Sequence, residues 1–70
     1  MYIIKATHWY KGVDKTLKGF VKNTYGDMCQ SSIEARKFHS VSEANEFIIR
    51  WLKPNQYNDF EKVYYKIGNI

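Results

Sequence analysis

The chain has 70 residues, of which 44% are hydrophobic and 17% aromatic, and its formal net charge is +4. These values predict one small folded domain over residues 1–70 and exclude a disordered or multidomain chain. The single cysteine excludes an internal disulfide framework, and no apolar run approaches the length of a membrane span. Because the first residues also lack the pattern of a signal peptide, the expected compartment is the cytoplasm.

Two strands joined by a tight turn are predicted for the first third of the chain. Residues 2–10 are rich in aromatic and β-branched side chains without helical periodicity, which favours a first strand. Residues 11–15 contain glycine and aspartate and have the length of a hairpin turn. Residues 16–24 alternate apolar and polar side chains and form the second predicted strand, which Gly26 and Asp27 end.

A third and a fourth strand are predicted on either side of a helix. We expect residues 28–32 to form a loop and residues 33–38 to form the third strand, which leads directly into the helix. After the helix, residues 55–59 are a polar link, and residues 60–67 alternate again as the last strand. Residues 68–70 are expected to fray.

Residues 41–53 carry the clearest pattern in the chain, that of an amphipathic helix. Ser40 stands three residues before Glu43, which is the capping-box arrangement that satisfies free backbone N–H groups at a helix start. Pro54 prevents easy continuation and marks the end of the helix. Apolar side chains recur at steps of three and four residues and predict one buried stripe of Val41, Ala44, Phe47, Ile48, Trp51 and Leu52.

The order of the predicted elements is β-β-β-α-β, which favours a small α+β fold. We expect an antiparallel sheet with one amphipathic helix packed on one face. Alternation along the strands assigns each side chain to one of the two faces. Ten side chains are predicted to lie beneath the helix, namely Ile4, Ala6, Leu17, Gly19, Val21, Ile33, Ala35, Val63, Tyr65 and Ile67. Phe38 is expected to join them where the third strand turns into the helix.

The opposite face of the sheet combines aromatic and cationic side chains, and one helix cannot cover it. Eight of them form the predicted partner-binding site, namely Lys5, Trp9, Lys18, Phe20, Lys22, Arg36, Tyr64 and Lys66. The same alternation adds Ile3, Thr7 and Lys62 to this face. Such a surface suits a protein partner, because aromatic rings and arginine anchor interfaces. It also suits RNA or single-stranded DNA, because rings stack on bases and cations bind phosphates. A homodimer joined through this face and a merely hydrated face are the other two interpretations.

The positive charge is unevenly distributed along the chain. Residues 1–39 hold seven cationic and three acidic side chains, whereas the helix and the segment after it are each balanced. A bias confined to one part of a fold indicates an acidic partner, either nucleic acid or an acidic protein surface. A net charge of this size is also ordinary for a soluble domain, so both interpretations stay open.

The chain contains no phosphate-binding loop, no dinucleotide glycine fingerprint and no pair of residues with metal-ligand spacing. His8, Cys29 and His39 are its only soft ligands, and they are far apart in sequence. Cys29 with a histidine would make a nucleophile pair, but a lone loop cysteine is more often an ordinary thiol. A chain this short also leaves little room for a substrate pocket. We therefore expect no catalytic residue, no cofactor, no metal and no enzymatic activity.

The segment Ala-Arg-Lys-Phe-His-Ser-Val-Ser-Glu-Ala-Asn-Glu-Phe-Ile, residues 35–48, resembles a pattern found in small phage and prophage proteins. In those proteins a strand ending in Ala-x-x-Phe enters Ser-x-x-Glu-Ala and an amphipathic helix, and a last strand follows. The opening residues 1–5 and the closing residues 60–64 are also similar to theirs. The resemblance implies an accessory protein of the anti-defence or host-takeover inhibitor type. Its partner would be a host or defence protein or nucleoprotein in a bacterial cytoplasm. The lysine excess departs from the acidic inhibitors that mimic DNA.

Overall fold

The computed structural model describes residues 1–54 and 60–69. Its strands are β1 (Tyr2–Tyr10), β2 (Thr16–Val21), β3 (Met28–Cys29) and β4 (Phe60–Asn69). Its helical segment consists of α1 (Val41–Phe47) and a π-helical turn (Ile48–Leu52). The strands form one antiparallel sheet in the order β3-β2-β1-β4, which confirms the predicted α+β class. The predicted link 55–59 and Ile70 lie outside the described residues.

Strands β1 and β2 form the expected hairpin. The Tyr10 N–H donates to the Lys15 carbonyl over 3.1 Å, and Gly12 takes a φ of 74° that suits glycine in the turn between them. Strand β2 ends at Val21, three residues before the predicted end. The reason is a turn around Asn23, whose side-chain oxygen accepts from the backbone N–H groups of Tyr25 at 3.0 Å and of Asp27 at 3.2 Å.

The predicted third strand was placed in the wrong segment. The turn after β2 brings the chain straight back, so Met28 and Cys29 pair with β2 where a loop was expected. Residues 33–38 are not a strand, and the Ile33 side chain is 85% exposed. The Lys37 ammonium closes this segment into a turn by donating to the carbonyls of Ser32 at 2.8 Å, Ile33 at 2.9 Å and Ala35 at 2.6 Å.

Phe38 makes a single β-bridge that joins this turn to the sheet. Its backbone N–H and carbonyl both bond Tyr2, each over 2.8 Å. The Arg36 N–H donates to the Val21 carbonyl over 3.0 Å, so residues 36–38 continue the line of β2 beside β1. The Phe38 side chain is buried in the main core, as predicted, and the helix begins two residues later at its cap.

The helix begins where the sequence predicts, but its last turn is wider than an α-helix. The Ser40 hydroxyl accepts from the Glu43 N–H at 3.1 Å, which is the first half of the predicted capping box. The Lys53 N–H donates to the Ile48 carbonyl over 2.9 Å, five residues back. The extra residue in this turn brings Leu52, and not Trp51, onto the buried side. Trp51 is 43% exposed and Val41 is also exposed, so both were wrongly assigned to the buried stripe.

The main core lies between the helix and one face of the sheet. Its buried members are Ile4, Ala6, Val21, Phe38, Ala44, Phe47, Ile48 and Leu52. Tyr65 and Ile67 of β4 pack against them as predicted, and β4 continues through Gly68 and Asn69, which were expected to fray. Four side chains that were predicted beneath the helix lie outside the main core: Leu17 and Ile33 are exposed, Val63 is half-buried, and Ala35 packs with Ile3 and Cys29 in a small second cluster.

Candidate partner-binding face

Strand register brings nine side chains together on the face opposite the helix, beside Ile3 and Cys29, which project to the same face but are buried in the second cluster. Directly paired residues of an antiparallel ladder project to the same side. Lys5 pairs with Phe20 and Lys66, Thr7 with Lys18 and Tyr64, and Trp9 with Thr16 and Lys62. We call this set the open face, which comprises Lys5, Thr7, Trp9, Thr16, Lys18, Phe20, Lys62, Tyr64 and Lys66.

The open face carries four lysines, and none of its nine side chains is acidic. Lys5 and Lys66 stand directly opposite each other, and like charges in this arrangement destabilise a sheet. The Lys5 side chain lies along the neighbouring Gly68, where a Cβ would be 3.5 Å from Lys5 Cε. Glu61 borders one end of the face, in a groove that it lines with Trp9 and Lys62. An anionic partner on this face would relieve the repulsion between Lys5 and Lys66.

The three aromatic rings of the open face differ in exposure. Tyr64 is 53% exposed, whereas Trp9 and Phe20 are half-buried. The Lys62 ammonium lies over the Trp9 ring, 5.3 Å from its centroid, and Phe20 packs against the second cluster that contains Cys29. Tyr64 is therefore the ring most accessible to a partner.

Two predicted site residues are not part of the paired strands that form the open face. The Arg36 guanidinium is 4.9 Å from the centroid of the Phe47 ring, so Arg36 packs beside the helix. Its assignment to the open face was wrong because it depended on a third strand that does not form. Lys22 follows the end of β2 and its N–H bonds the Asp27 carbonyl over 2.9 Å within the turn. Lys62 belongs to the open face although the predicted site omitted it.

A shallow groove of about 280 Å³ runs along the boundary between β1 and β2 on the open face. The side chains of Lys5, Thr7, Lys18 and Phe20 line it together with Gln30, which reaches across from the end of β3. The Gln30 amide donates to the Lys18 carbonyl over 2.8 Å and so closes the outer side of β2. With lysines at two sides, this groove is shaped and charged to receive an acidic or polar side chain from a partner.

His8 is a buried titratable side chain on the helix side of the sheet. It is 8% exposed, its ring centroid is 4.3 Å from that of Phe60, and the Tyr65 ring meets it edge-on. Its Nδ1 has no hydrogen-bond partner within residues 1–54 and 60–69. Burial lowers the pKa of His8 because the charged imidazolium loses its hydration.

Stability should therefore fall as the pH falls through the range in which histidine titrates. The pKa of His8 is ~6.5 in the unfolded chain and lower in the folded chain, so protonation of this side chain favours unfolding. The contribution of His8 to the free energy of unfolding is fully present above the unfolded-state pKa and is lost as the pH drops towards the lowered pKa of the folded chain. Urea midpoints measured from about pH 5 to about pH 8 should show this slope for the parent and not for His8→Leu. The control His39→Gln changes the other histidine, which is exposed, and should show the same slope as the parent. An unchanged slope in His8→Leu would contradict the assignment of the pH dependence to His8.

Cys29, the single thiol of the chain, is buried in the second cluster. Its Sγ lies 3.2 Å from the Ser31 carbonyl and 3.6 Å from the Phe20 carbonyl, both of which accept from the thiol. These contacts fix β3 against β2. Neither histidine is among these partners, so the contacts described for Cys29 are structural.

Among residues 1–54 and 60–69, no three histidine, cysteine, aspartate or glutamate side chains come together as a group that could hold a metal ion. No helix within the same ranges has both the length and the apolar character needed to cross a membrane. Comparison of the chain with models of known protein families, with curated proteins and with solved structures finds no match.

Proposed function

We propose that this chain is a non-enzymatic, phage-type binding protein that docks on a host or defence macromolecule through its open face and inhibits it. The observation that carries the proposal is the composition of the open face, with four lysines, three aromatic rings and no acid. Lysines steer an acidic partner onto such a face, and aromatic rings anchor it. The phage-type and inhibitory parts of the proposal rest on the resemblance of residues 35–48 to small phage proteins.

The exposure of the rings favours a protein partner over nucleic acid. Stacking on a base requires a free ring face, and Lys62 lies over Trp9 while Phe20 is partly covered by the second cluster. Tyr64, the one widely exposed ring of the open face, is flanked by Lys62 and Lys66 on its own strand. A single aromatic anchor with a basic rim is typical of a protein interface.

The test is a quantitative pull-down from bacterial lysate with a double variant, Tyr64→Ala combined with Lys18→Glu. These two residues flank Thr7 in one row of the open face, so the variant removes the anchor and reverses a charge next to it. Truncation of an interface anchor typically costs about 2 kcal/mol or more, so capture of the target should fall by at least about tenfold. Purified protein should also inhibit the activity of the captured target, and the double variant should not.

A matched control makes the same chemical changes away from the open face. Tyr25→Ala combined with Lys11→Glu alters an exposed tyrosine and an exposed lysine in the two turns that flank β2. This control should capture the target as the parent does. Equal capture by the two double variants would contradict the assignment of the open face. Sedimentation of the parent alone reports on self-association, which would compete for the same face.

Binding of RNA or single-stranded DNA is the second candidate function. It is favoured by the placement of Trp9, Phe20 and Tyr64 on three neighbouring strands of one basic face, as in a stacking platform. A nuclease arm in the same pull-down separates the two candidates. A target that survives nuclease treatment supports direct protein contact. A target that is lost, together with oligonucleotide binding that weakens steeply with salt, supports nucleic acid.

A further inference from the structure

The open face has about the footprint of one short α-helix. Its nine side chains come from three neighbouring strands, with three positions on each strand. At the usual spacings of a sheet, such a grid measures about 14 Å in each direction. An α-helix with its side chains is about 10–12 Å across, and three of its turns are about 16 Å long. Six side chains of the grid are exposed, namely Lys5, Thr16, Lys18, Lys62, Tyr64 and Lys66.

The face of a sheet accepts a helix more readily than an extended segment. The backbone groups of β1 lie in the plane of the sheet and bond β2 and β4, so they are not offered to a chain lying above them. An extended segment on the face would bury its own backbone groups unpaired, whereas a helix pairs them internally. The opposite face of this sheet is already covered by α1, through Ala44 and Phe47.

Thr7 gives such a helix room at the centre of the grid. Lys18 and Tyr64 flank it on the neighbouring strands, and Lys5 and Trp9 flank it along β1. All four of these side chains are larger than threonine, and Thr7 itself is half-buried. The face is therefore lowest at Thr7, and a helix that crosses this point approaches the sheet most closely.

Two cationic positions lie on opposite sides of Thr7. The first is the groove of about 280 Å³ between Lys5 and Lys18, and the second is Lys62 at the far corner on β4. Strand spacings put these positions about 12 Å apart, and two turns of a helix rise about 11 Å. Acidic residues at positions i and i+7 of a helix therefore reach both. Apolar residues at i+3 and i+4 then lie over Thr7 and beside Tyr64.

We infer that the open face binds an amphipathic α-helix of another protein, on which apolar residues lie between two acidic residues spaced two turns apart. One carboxylate enters the groove between Lys5 and Lys18, and the other meets Lys62. The apolar residues between them contact Tyr64. The inference rests on the proposed docking function and names the structure and the chemistry of the docked segment.

Charge selects a helix of another protein over a second copy of this chain. Two copies that meet through their open faces bring the lysines of both together, and like charges oppose such contact. The helix of this chain carries Glu43 and Glu46, which are three residues apart instead of seven. Glu46 also bonds Arg50 over 3.3 Å, so this helix would bring a cation towards the lysines.

The test uses a labelled, capped peptide of about 15 residues, long enough to form a helix on binding. It has glutamate at i and i+7, leucine at i+3 and i+4, and alanine or glutamine elsewhere. A control peptide of the same composition distributes the glutamates and leucines around the helix. Fluorescence anisotropy should show that the first peptide binds at least about tenfold more tightly than the control, and circular dichroism should show that it gains helicity. A third peptide with lysine in place of glutamate should not bind.

Three single variants test the placement of the charges. Lys62→Gln should weaken binding of the glutamate–leucine peptide about two- to fivefold, the usual effect of one exposed charge pair. Glu61 lines a groove with Trp9 and Lys62, where its carboxylate competes with that of the peptide. Glu61→Gln should therefore strengthen binding. Lys11→Gln changes an exposed lysine in the turn between β1 and β2 and should bind as the parent does.

Four outcomes would overturn the inference. They are equal binding of the control peptide, no gain of helicity, weaker binding by Glu61→Gln than by the parent, and tighter binding of a short single-stranded oligonucleotide than of the peptide. Sedimentation adds a fifth. If the parent self-associates and Lys18→Glu separates the copies, the occupant of the open face is a second copy of the chain.

The peptide and the pull-down together distinguish the failure of this inference from the failure of the proposed function. If Tyr64→Ala with Lys18→Glu loses the cellular target while the parent does not bind the glutamate–leucine peptide, the open face docks the target and the helix inference is wrong. If the double variant loses the peptide and keeps the target, the helix site exists and the proposed function fails. Circular dichroism of each variant shows that any loss is not due to unfolding.

Discussion

Replacement of Phe47 with alanine is expected to lower the free energy of unfolding by about 3–5 kcal/mol, the usual cost of removing a buried aromatic ring. Phe47 is 7% exposed, its ring centroid is 5.1 Å from that of Phe38, and the Arg36 guanidinium covers it. The side chain thus joins the helix to the bridge that precedes it. Because a domain of this size has a total stability of about 4–10 kcal/mol, the variant should unfold at a much lower urea concentration.

Trp51→Ala is the matched control, since it removes a ring from the same helical segment. Trp51 is 43% exposed, so the loss should be about 1–2 kcal/mol, as for partly exposed positions in general. Urea titration followed by circular dichroism measures both variants. If Trp51→Ala costs as much as Phe47→Ala, the segment continues as a regular α-helix with Trp51 buried, and the wide turn between Ile48 and Lys53 is wrong.

The start of this helix was predictable from the sequence, whereas the form of its end was not. The cap at Ser40 depends on a side chain and a backbone group three residues apart, and such local geometry is visible in the sequence. The π-helical turn depends on whether Trp51 or Leu52 fits the core better. Helical periodicity allows Trp51 and Leu52 on the same face of a helix, so the predicted buried stripe contained both residues. The shape of the sheet beneath decides between them.

The third strand shows how an alternating pattern can mislead. Ile33 and Ala35 alternate with charged residues as a half-buried strand would, yet neither contributes to a strand. The place beside β2 is already occupied by Met28 and Cys29, because the turn around Asn23 reverses the chain at once. That turn has a signal in the sequence, namely an asparagine followed by Gly26 and Asp27, and Gly26 takes a φ of 82°. Turn chemistry was therefore better evidence here than alternation.

Most of the open face was predictable because alternation is reliable within long strands. Six of the eight predicted site residues, all on β1, β2 or β4, lie on that face: Lys5, Trp9, Lys18, Phe20, Tyr64 and Lys66. Arg36 was misplaced by the error in the third strand. The pairing of Lys5 with Lys66 and of Trp9 with Lys62 needs strand register, which alternation alone does not supply. A role in binding stays a prediction for each of these residues.

Gly19→Ala is expected to destabilise the protein by about 1–3 kcal/mol, although alanine usually improves on glycine within a strand. A Cβ at Gly19 would lie 2.9 Å from the Cys29 carbonyl oxygen and 3.3 Å from both Met28 Cβ and Gln30 Nε2. The closest atom belongs to the backbone, so the methyl group fits only if β3 moves away from β2. The glycine is thus required by the close approach of the two strands.

Detachment of β3 can be measured directly, because Cys29 is buried only while β3 stays in place. The Gly19→Ala variant should unfold at lower urea concentration, and its Cys29 should react faster with a thiol reagent under native conditions. Gly68→Ala is the matched control in β4, where the nearest atom to a new Cβ is Lys5 Cε at 3.5 Å, an ordinary contact. That control should match the parent in both measurements. Equal thiol reactivity in Gly19→Ala and the parent would show that β2 tolerates a side chain at this position and that β3 does not depend on the glycine.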